Sequence, residues 1–179
     1  MTIIFILFII ILIGGIITAF AVVTIDNFQE YIIRINEAEA NIETTLNKRF
    51  DILNKSADII KSVIDSDDDI LKTITNIRSQ KLNNYELDKE LYNGIEEFHE
   101  YAETNIELKE NDDYTKSEIN IIESEAEIIA LKEYYNDIAI KYNELVSNFP
   151  TSLIAKIKKY EPKEIFEMED HLELINSLK

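Results

Sequence analysis

Cysteine and tryptophan are absent from this 179-residue chain, which holds only three glycines, two prolines and two histidines. Without cysteine there is no disulfide, no thiolate metal centre and no cysteine nucleophile. With so little glycine there is no phosphate-cradling loop, and no serine stands in a nucleophile elbow. The same scarcity of helix breakers, with apolar residues recurring to the end, argues against disorder and for long helices. Basic residues are also short: 18 Lys and Arg face 35 Asp and Glu, for a formal net charge of −17. A surface of that sign repels phosphate backbones, so no nucleic-acid partner is expected.

The most telling absence is local. Residues 1–25 carry no charged side chain, and only Thr2, Gly14, Gly15, Thr18 and Thr24 interrupt a run of Ile, Leu, Phe, Val and Ala. As a helix this run would reach about 37 Å, against a bilayer hydrocarbon core of about 30 Å. Ala19-Phe20-Ala21 offers a small-x-small cleavage triplet, but no Lys or Arg precedes the run and it is long for a signal-peptide core. Retention as a single-pass anchor in the cell membrane is therefore expected, with the lipid bilayer as the partner of residues 1–25. Arg34 is the one basic residue close behind the span, and the positive-inside rule leans toward a cytoplasmic C-terminal domain.

Beyond residue 25 the apolar positions change rhythm. Ile25, Phe28, Ile32, Ile35, Ala38, Ile42, Leu46, Phe50, Leu53, Ala57, Ile60 and Ile64 are spaced by three or four, the stripe of one amphipathic helix. No Pro or Gly falls between Gly15 and Gly94, so the membrane helix is expected to continue unbroken to about Ile64. Asp65–Asp69 reads as an acidic turn, followed by a tract with Ile70 or Leu71, Ile74 and Ile77. Asn83-Asn84 marks a break before Leu87, Leu91, Ile95, Phe98, Ala102 and Ile106, and Glu110–Asp113 a loop or cap. A last long helix carries Ile121, Ile128, Leu131, Tyr135, Ile138, Tyr142, Leu145 and Phe149 and ends at Pro150.

No segment alternates as a strand would. The expected fold is all-α: an N-terminal transmembrane helix running into an antiparallel up-and-down bundle of three to four long helices. A parallel homo-oligomeric coiled coil is the structural rival. The expected organisation is an anchor over 1–25, a bundle over 26–150 and a short helical segment with a basic cluster over 151–179.

Catalytic constellations are incomplete. Glu96-x-x-His99 is half of a di-iron motif, yet His171 has Met168 where the second Glu belongs. His99-Glu100-x-x-Glu103 lacks the second histidine of a zinc-protease helix, and the loop opening at Asp65 has Ile70 where calcium loops need Gly. No cofactor or metal and no enzymatic activity is expected. Lys156, Lys158, Lys159 and Lys163 form the one basic cluster; a counter-charge to the acidic bundle, anionic lipid or an acidic partner would each account for it.

Two blocks resemble one family. Ile42–Ile60 reads I-E-T-T-L-N-K-R-F-D-I-L-N-K-S-A-D-I-I, and Tyr134–Ala155 reads Y-Y-N-D-I-A-I-K-Y-N-E-L-V-S-N-F-P-T-S-L-I-A, followed by P-K-E-I-F-E. These resemble the LemA family of bacterial membrane proteins, with its L-K-R-R-x-D-L, Y-N-x-x-V-x-x-Y-N, F-P-x-N-L-I-A and P-x-F-E stretches. The resemblance implies one N-terminal span, a helical bundle and no established reaction. It places Lys48, Arg49, Asp51, Tyr135, Asn136, Tyr142, Asn143, Phe149 and Pro150 on motif positions, as candidate partner-binding or register-fixing residues. Departures are Asn54-Lys55-Ser56, Ser152, and Lys156–Tyr160 in place of a Gly-rich apolar tract. From the residues themselves, Tyr135, Tyr142 and Phe149 recur every seven positions as bundle-packing residues. Asn136 and Asn143 are placed to hydrogen-bond between helices, and Lys48 and Arg49 to pair with acids.

The functional expectation is a non-enzymatic, membrane-anchored bundle that binds an unidentified protein partner or serves as a scaffold. A self-assembling, homo-oligomeric membrane-organising stalk is the alternative, and a metal-binding bundle enzyme a lesser one.

Overall fold

The computed structural model describes residues 1–64, 77 and 82–168, and among them every regular element is a helix. Helix α1 is one unbroken run, Thr2–Ile64. It is followed by α2 (Asn84–Thr104), the single turn α3 (Ile106–Lys109), α4 (Asp112–Ser147) and α5 (Thr151–Lys158). The acidic turn at Asp65–Asp69 and the tract after it, apart from Ile77, lie outside the described residues, as does His171.

Side-chain caps set the helix starts. At α2 the Asn83 side chain accepts from the Glu86 N–H at 3.0 Å, while the Glu86 carboxylate accepts from the Asn83 N–H at 3.0 Å. This reciprocal box satisfies donors that a helix start otherwise leaves open. At α4, Asn111 Oδ1 accepts from the N–H groups of Asp113 and Tyr114 at 2.9 and 3.1 Å. Both caps fall on the two polar breaks expected from the sequence.

The chain forms two compact units. The second comprises the described residues of Ala38–Tyr134 and Phe166–Lys179. Its core takes Ala38, Ile42, Leu46, Leu53, Ala57 and Ile60 from α1, Leu91, Ile95, Phe98 and Ala102 from α2, and Tyr114, Ile121 and Ile128 from α4. Contacts from Lys48 to Glu127 and from Ser56 to Ser117 descend along α4 as α1 ascends, so α1 and α4 are antiparallel. Contacts from Glu39 to Asn84 and from Arg49 to Asp88 ascend together, so α1 and α2 are parallel. At Gly94 a Cβ would lie 3.0 Å from Leu53 Cδ2 and 3.3 Å from Ile77 Cδ1, so α2 approaches its neighbours where its side chain is missing.

The first unit combines Met1–Glu37 with Tyr135–Ile165. Residues 1–20 of α1 are exposed throughout, and burial begins only with Thr24 and Phe28. Phe28 is fully enclosed: Tyr142 meets it edge-on at 5.8 Å, and Tyr160 lies against it at 4.7 Å.

Several sequence expectations need correction. Ile106, expected on the stripe of Leu91, Ile95 and Phe98, opens α3 instead and is 73% exposed. The last long helix ends at Ser147, so Phe149 falls off its packing face and is 81% exposed. In α2 the core position belongs to Asp88 and the adjacent Leu87 is only half-buried; in α4 it belongs to Lys132, with Leu131 half-buried. Helical register, not hydrophobicity, decides within each pair.

Filling the gap at Gly94 should therefore cost more than its helix propensity returns. We expect Gly94→Val to destabilise the fold by about 1–3 kcal/mol through overpacking against Leu53 and Ile77, measured by denaturant unfolding in detergent.

Candidate functional site

The most unusual chemistry sits inside the second unit. Arg49 of α1, Asp88 of α2, and Glu125 and Lys132 of α4 are all buried. The Arg49 guanidinium donates from Nη2 to the Glu125 carboxylate and from Nη1 to Asp88 Oδ1 at 3.4 Å. Lys132 Nζ donates to the other Asp88 oxygen at 2.6 Å. Two cations and two carboxylates close a neutral, three-helix network in which Asp88 is shared. Arg49 Nε is the sole buried side-chain polar atom without a hydrogen-bond partner among the described residues.

Burial lowers the Lys132 pKa from the ordinary lysine value, and the Asp88 carboxylate opposes that shift. The Phe166 ring lies 5.5 Å from Lys132 Nζ, within cation–π range, and stacks on Tyr85 at 4.2 Å. Lys48, one residue from Arg49, points to the surface and pairs with Glu127 at 2.7 Å. Asp51, also close in sequence, is exposed. The acids that Arg49 meets come from α2 and α4 rather than from its own neighbourhood.

The Tyr-Asn positions of α4 do different work, in the first unit. Tyr135, fully buried, donates its hydroxyl to the Glu164 carbonyl at 3.0 Å. Asn143 donates to the Lys163 carbonyl at 2.8 Å and accepts from the Lys163 N–H at 2.7 Å. These contacts strap the irregular segment after α5 along α4. The expected partner of Asn143 was another helix; the actual one is main chain without helical hydrogen bonds, which needs a side-chain amide to satisfy it. Asn136 is half-buried and also has a partner. Beside the strap lies an open groove of about 540 Å³ lined by Ile140, Asn143, Glu144, Ser147, Lys163 and Ile165, among others. Tyr142 packs on Phe28, with its hydroxyl pKa raised by burial and, secondarily, by Tyr160 and Glu161. Phe149 and Pro150 form the corner between α4 and α5, joined by a cis peptide bond.

A second cleft, about 290 Å³, is lined by His99, Glu103, Lys109, Tyr114, Thr115 and Glu118. His99 Nδ1 lies 3.7 Å from Glu118 Oε1, and burial, reinforced by the Glu118 charge, raises the Tyr114 pKa. Among the described residues no group of three or more His, Asp or Glu is placed to hold a metal ion. Among the described residues Lys156, Lys158 and Lys159 form no ion pair.

The sequence reading missed Asp88, Glu125 and Lys132. A signal was present: Asp88 stands seven before Ile95, Glu125 four after Ile121 and three before Ile128, and Lys132 four after Ile128 and three before Tyr135, all on buried faces.

The LemA family model matches residues 38–175, most of the chain, and the chain belongs to the LemA family. No curated protein matches it. The matched stretch begins after the uncharged segment and contains both the charge network and the strap.

Removing one partner of a buried network strands the others. Arg49→Ala should destabilise the fold by about 3–5 kcal/mol in urea unfolding, whereas Arg49→Met with Glu125→Leu should recover much of that loss. Alkaline titration probes the buried hydroxyls. Their raised folded pKa means that the stability they contribute is full below about pH 10 and falls as pH climbs beyond it. Tyrosinate absorbance near 295 nm should show a late phase above the ordinary tyrosine range, and Tyr114→Phe should remove one ring from that phase while sparing the early one.

Proposed function

We propose that this LemA-family chain is a non-enzymatic, single-pass membrane protein whose acidic helical body binds a partner protein at the cell membrane. The carrying observation is the composition of α1. Over its first 20 residues every position is exposed and uncharged, while the same helix farther on buries a regular stripe. An uncharged apolar helix of that length, with none of its apolar stretch buried in the protein, suits lipid surroundings. The insertion free energy of a dozen or more Ile, Leu, Phe and Val residues far outweighs two glycines.

Partner binding rests on what the body exposes. Ile106, Ile119 and Tyr134 are large apolar residues at 73, 51 and 48% exposure on an otherwise acidic surface. Exposed apolar side chains with charged neighbours suit the centre and rim of a protein contact, and Ile119 on α4 is the one chosen for test. We read the body as cytoplasmic, on the single basic residue, Arg34, that stands close behind the span.

Alkaline carbonate should leave the full chain in the membrane pellet, and intact-cell protease should leave the body uncut if it is cytoplasmic. A photocrosslinker at Ile119 in living cells should give a discrete adduct heavier than the chain by a mass unrelated to its own. A ladder at multiples of the chain's own mass would favour the self-assembling stalk instead, and no adduct at all would overturn partner binding at this face.

A further inference from the structure

Three lysines of the basic cluster and two exposed apolar side chains lie on one short helix and its C-cap. On α5, Leu153 and Ile157 stand four residues apart at 53 and 78% exposure, and Phe149, in the corner before the helix, is 81% exposed. Lys156, Lys158 and Lys159 are exposed beside them, while Ala155, on the opposite face, is buried. No Asp or Glu occurs from Phe149 to Tyr160, in a chain that carries 35 of them. An exposed apolar face flanked by cations alone is the pattern of a helix that lies in a membrane interface.

Its position within the unit fits that surface. Lys159 takes a left-handed backbone conformation, φ 58°, and the Tyr160 N–H returns to the Ala155 carbonyl at 2.9 Å, so the chain turns sharply out of α5. Tyr160 then docks on α1: its ring lies 4.7 Å from Phe28 and its hydroxyl accepts from Gln29 Nε2 at 3.1 Å. Phe28 stands three residues past Ile25, the last residue of the uncharged run, which is about 4.5 Å along the helix axis. That is headgroup depth, where tyrosine rings also concentrate. The acids at this level are Asp26 and Glu30 of α1, the latter paired with Arg34, and Glu161, exposed just after Tyr160; none lies within Phe149–Tyr160 itself.

We infer that Phe149, Leu153, Ile157 and the three lysines form a second membrane contact, an interfacial patch that lays α5 on the anionic lipid of the bilayer that α1 enters. The inference rests on the reading of α1 as the anchor. Lysine ammonium groups meet phosphodiester headgroups while the three apolar side chains enter the acyl boundary. The patch fixes the azimuth of the first unit about its anchor, which a single span leaves free.

The absence of native cysteine allows one probe at a time. The full chain, carrying an NBD fluorophore at Ile157→Cys or, separately, at Phe20→Cys, is reconstituted in phosphatidylcholine vesicles with or without phosphatidylglycerol. A headgroup-proximal spin-labelled lipid serves as quencher at Ile157→Cys and an acyl-chain spin label at Phe20→Cys. Quenching at Ile157→Cys should be at least about twofold greater with phosphatidylglycerol, and Lys156→Gln, Lys158→Gln and Lys159→Gln together should return it to the phosphatidylcholine level. Equal quenching in the two lipids, or none at Ile157→Cys while Phe20→Cys is quenched, would overturn the patch and leave the anchor standing; the latter result would point to a protein occupant. Loss of quenching at Phe20→Cys itself would overturn the anchor and the patch with it.

Discussion

The second unit depends on four charges held out of water. Isolated, any of them would cost several kcal/mol to bury, so Arg49, Asp88, Glu125 and Lys132 are tolerable only together. Asp88 is the pivot, since it serves the arginine with one oxygen and the lysine with the other. An apolar core of Ile and Leu would accept several registers of α1 against α4. A network with this geometry accepts one, because a shift by a single helical step leaves a charge unpaired. The core supplies the driving force, and the network selects which packing is reached. The Phe166 ring, stacked on Tyr85, lies over the Lys132 ammonium.

Much of this architecture was legible in the sequence because helices announce themselves by period. The stripe from Phe28 to Ile60 and the two polar breaks needed only spacing and cap chemistry. Legibility failed where two neighbouring residues competed for one core position. Hydrophobic ranking prefers Leu87 to Asp88 and Leu131 to Lys132, yet a helix turns about 100° per residue and only one of each pair faces inward. A buried charge is invisible to any reading that treats charge as a marker of solvent. Arg49 was singled out by resemblance, with ion pairing foreseen, but its acids lie 39 and 76 residues away in sequence.

The strap is illegible for another reason. Residues 160–168 have no period; between Tyr160 and Phe166, whose rings pack, the contacts to Tyr135 and Asn143 use main-chain groups of Lys163 and Glu164, which every sequence has. Tyr135 and Asn143 hold the backbone and leave the strap's own side chains without a specifying role at those points. Phe149 shows the reverse error. Its seven-residue spacing after Tyr142 implied packing, but the helix stops at Ser147, and periodicity carries no information past the end of the element that generates it.

The separation of 76 residues between Arg49 and Glu125 also orders events during synthesis. The uncharged start of α1 leaves the ribosome first, and Arg49 soon after, with neither acidic partner yet made. At about 5–20 residues per second the guanidinium waits roughly 4–15 s for Glu125, and longer for the lysine that neutralises the rest of Asp88. During that interval the apolar stripe of α1 has no α4 to cover it. The segment that will form the core therefore stays uncovered until α4 is made, and on the anchor proposed above the uncharged start of α1 meets the bilayer before the domain behind it closes.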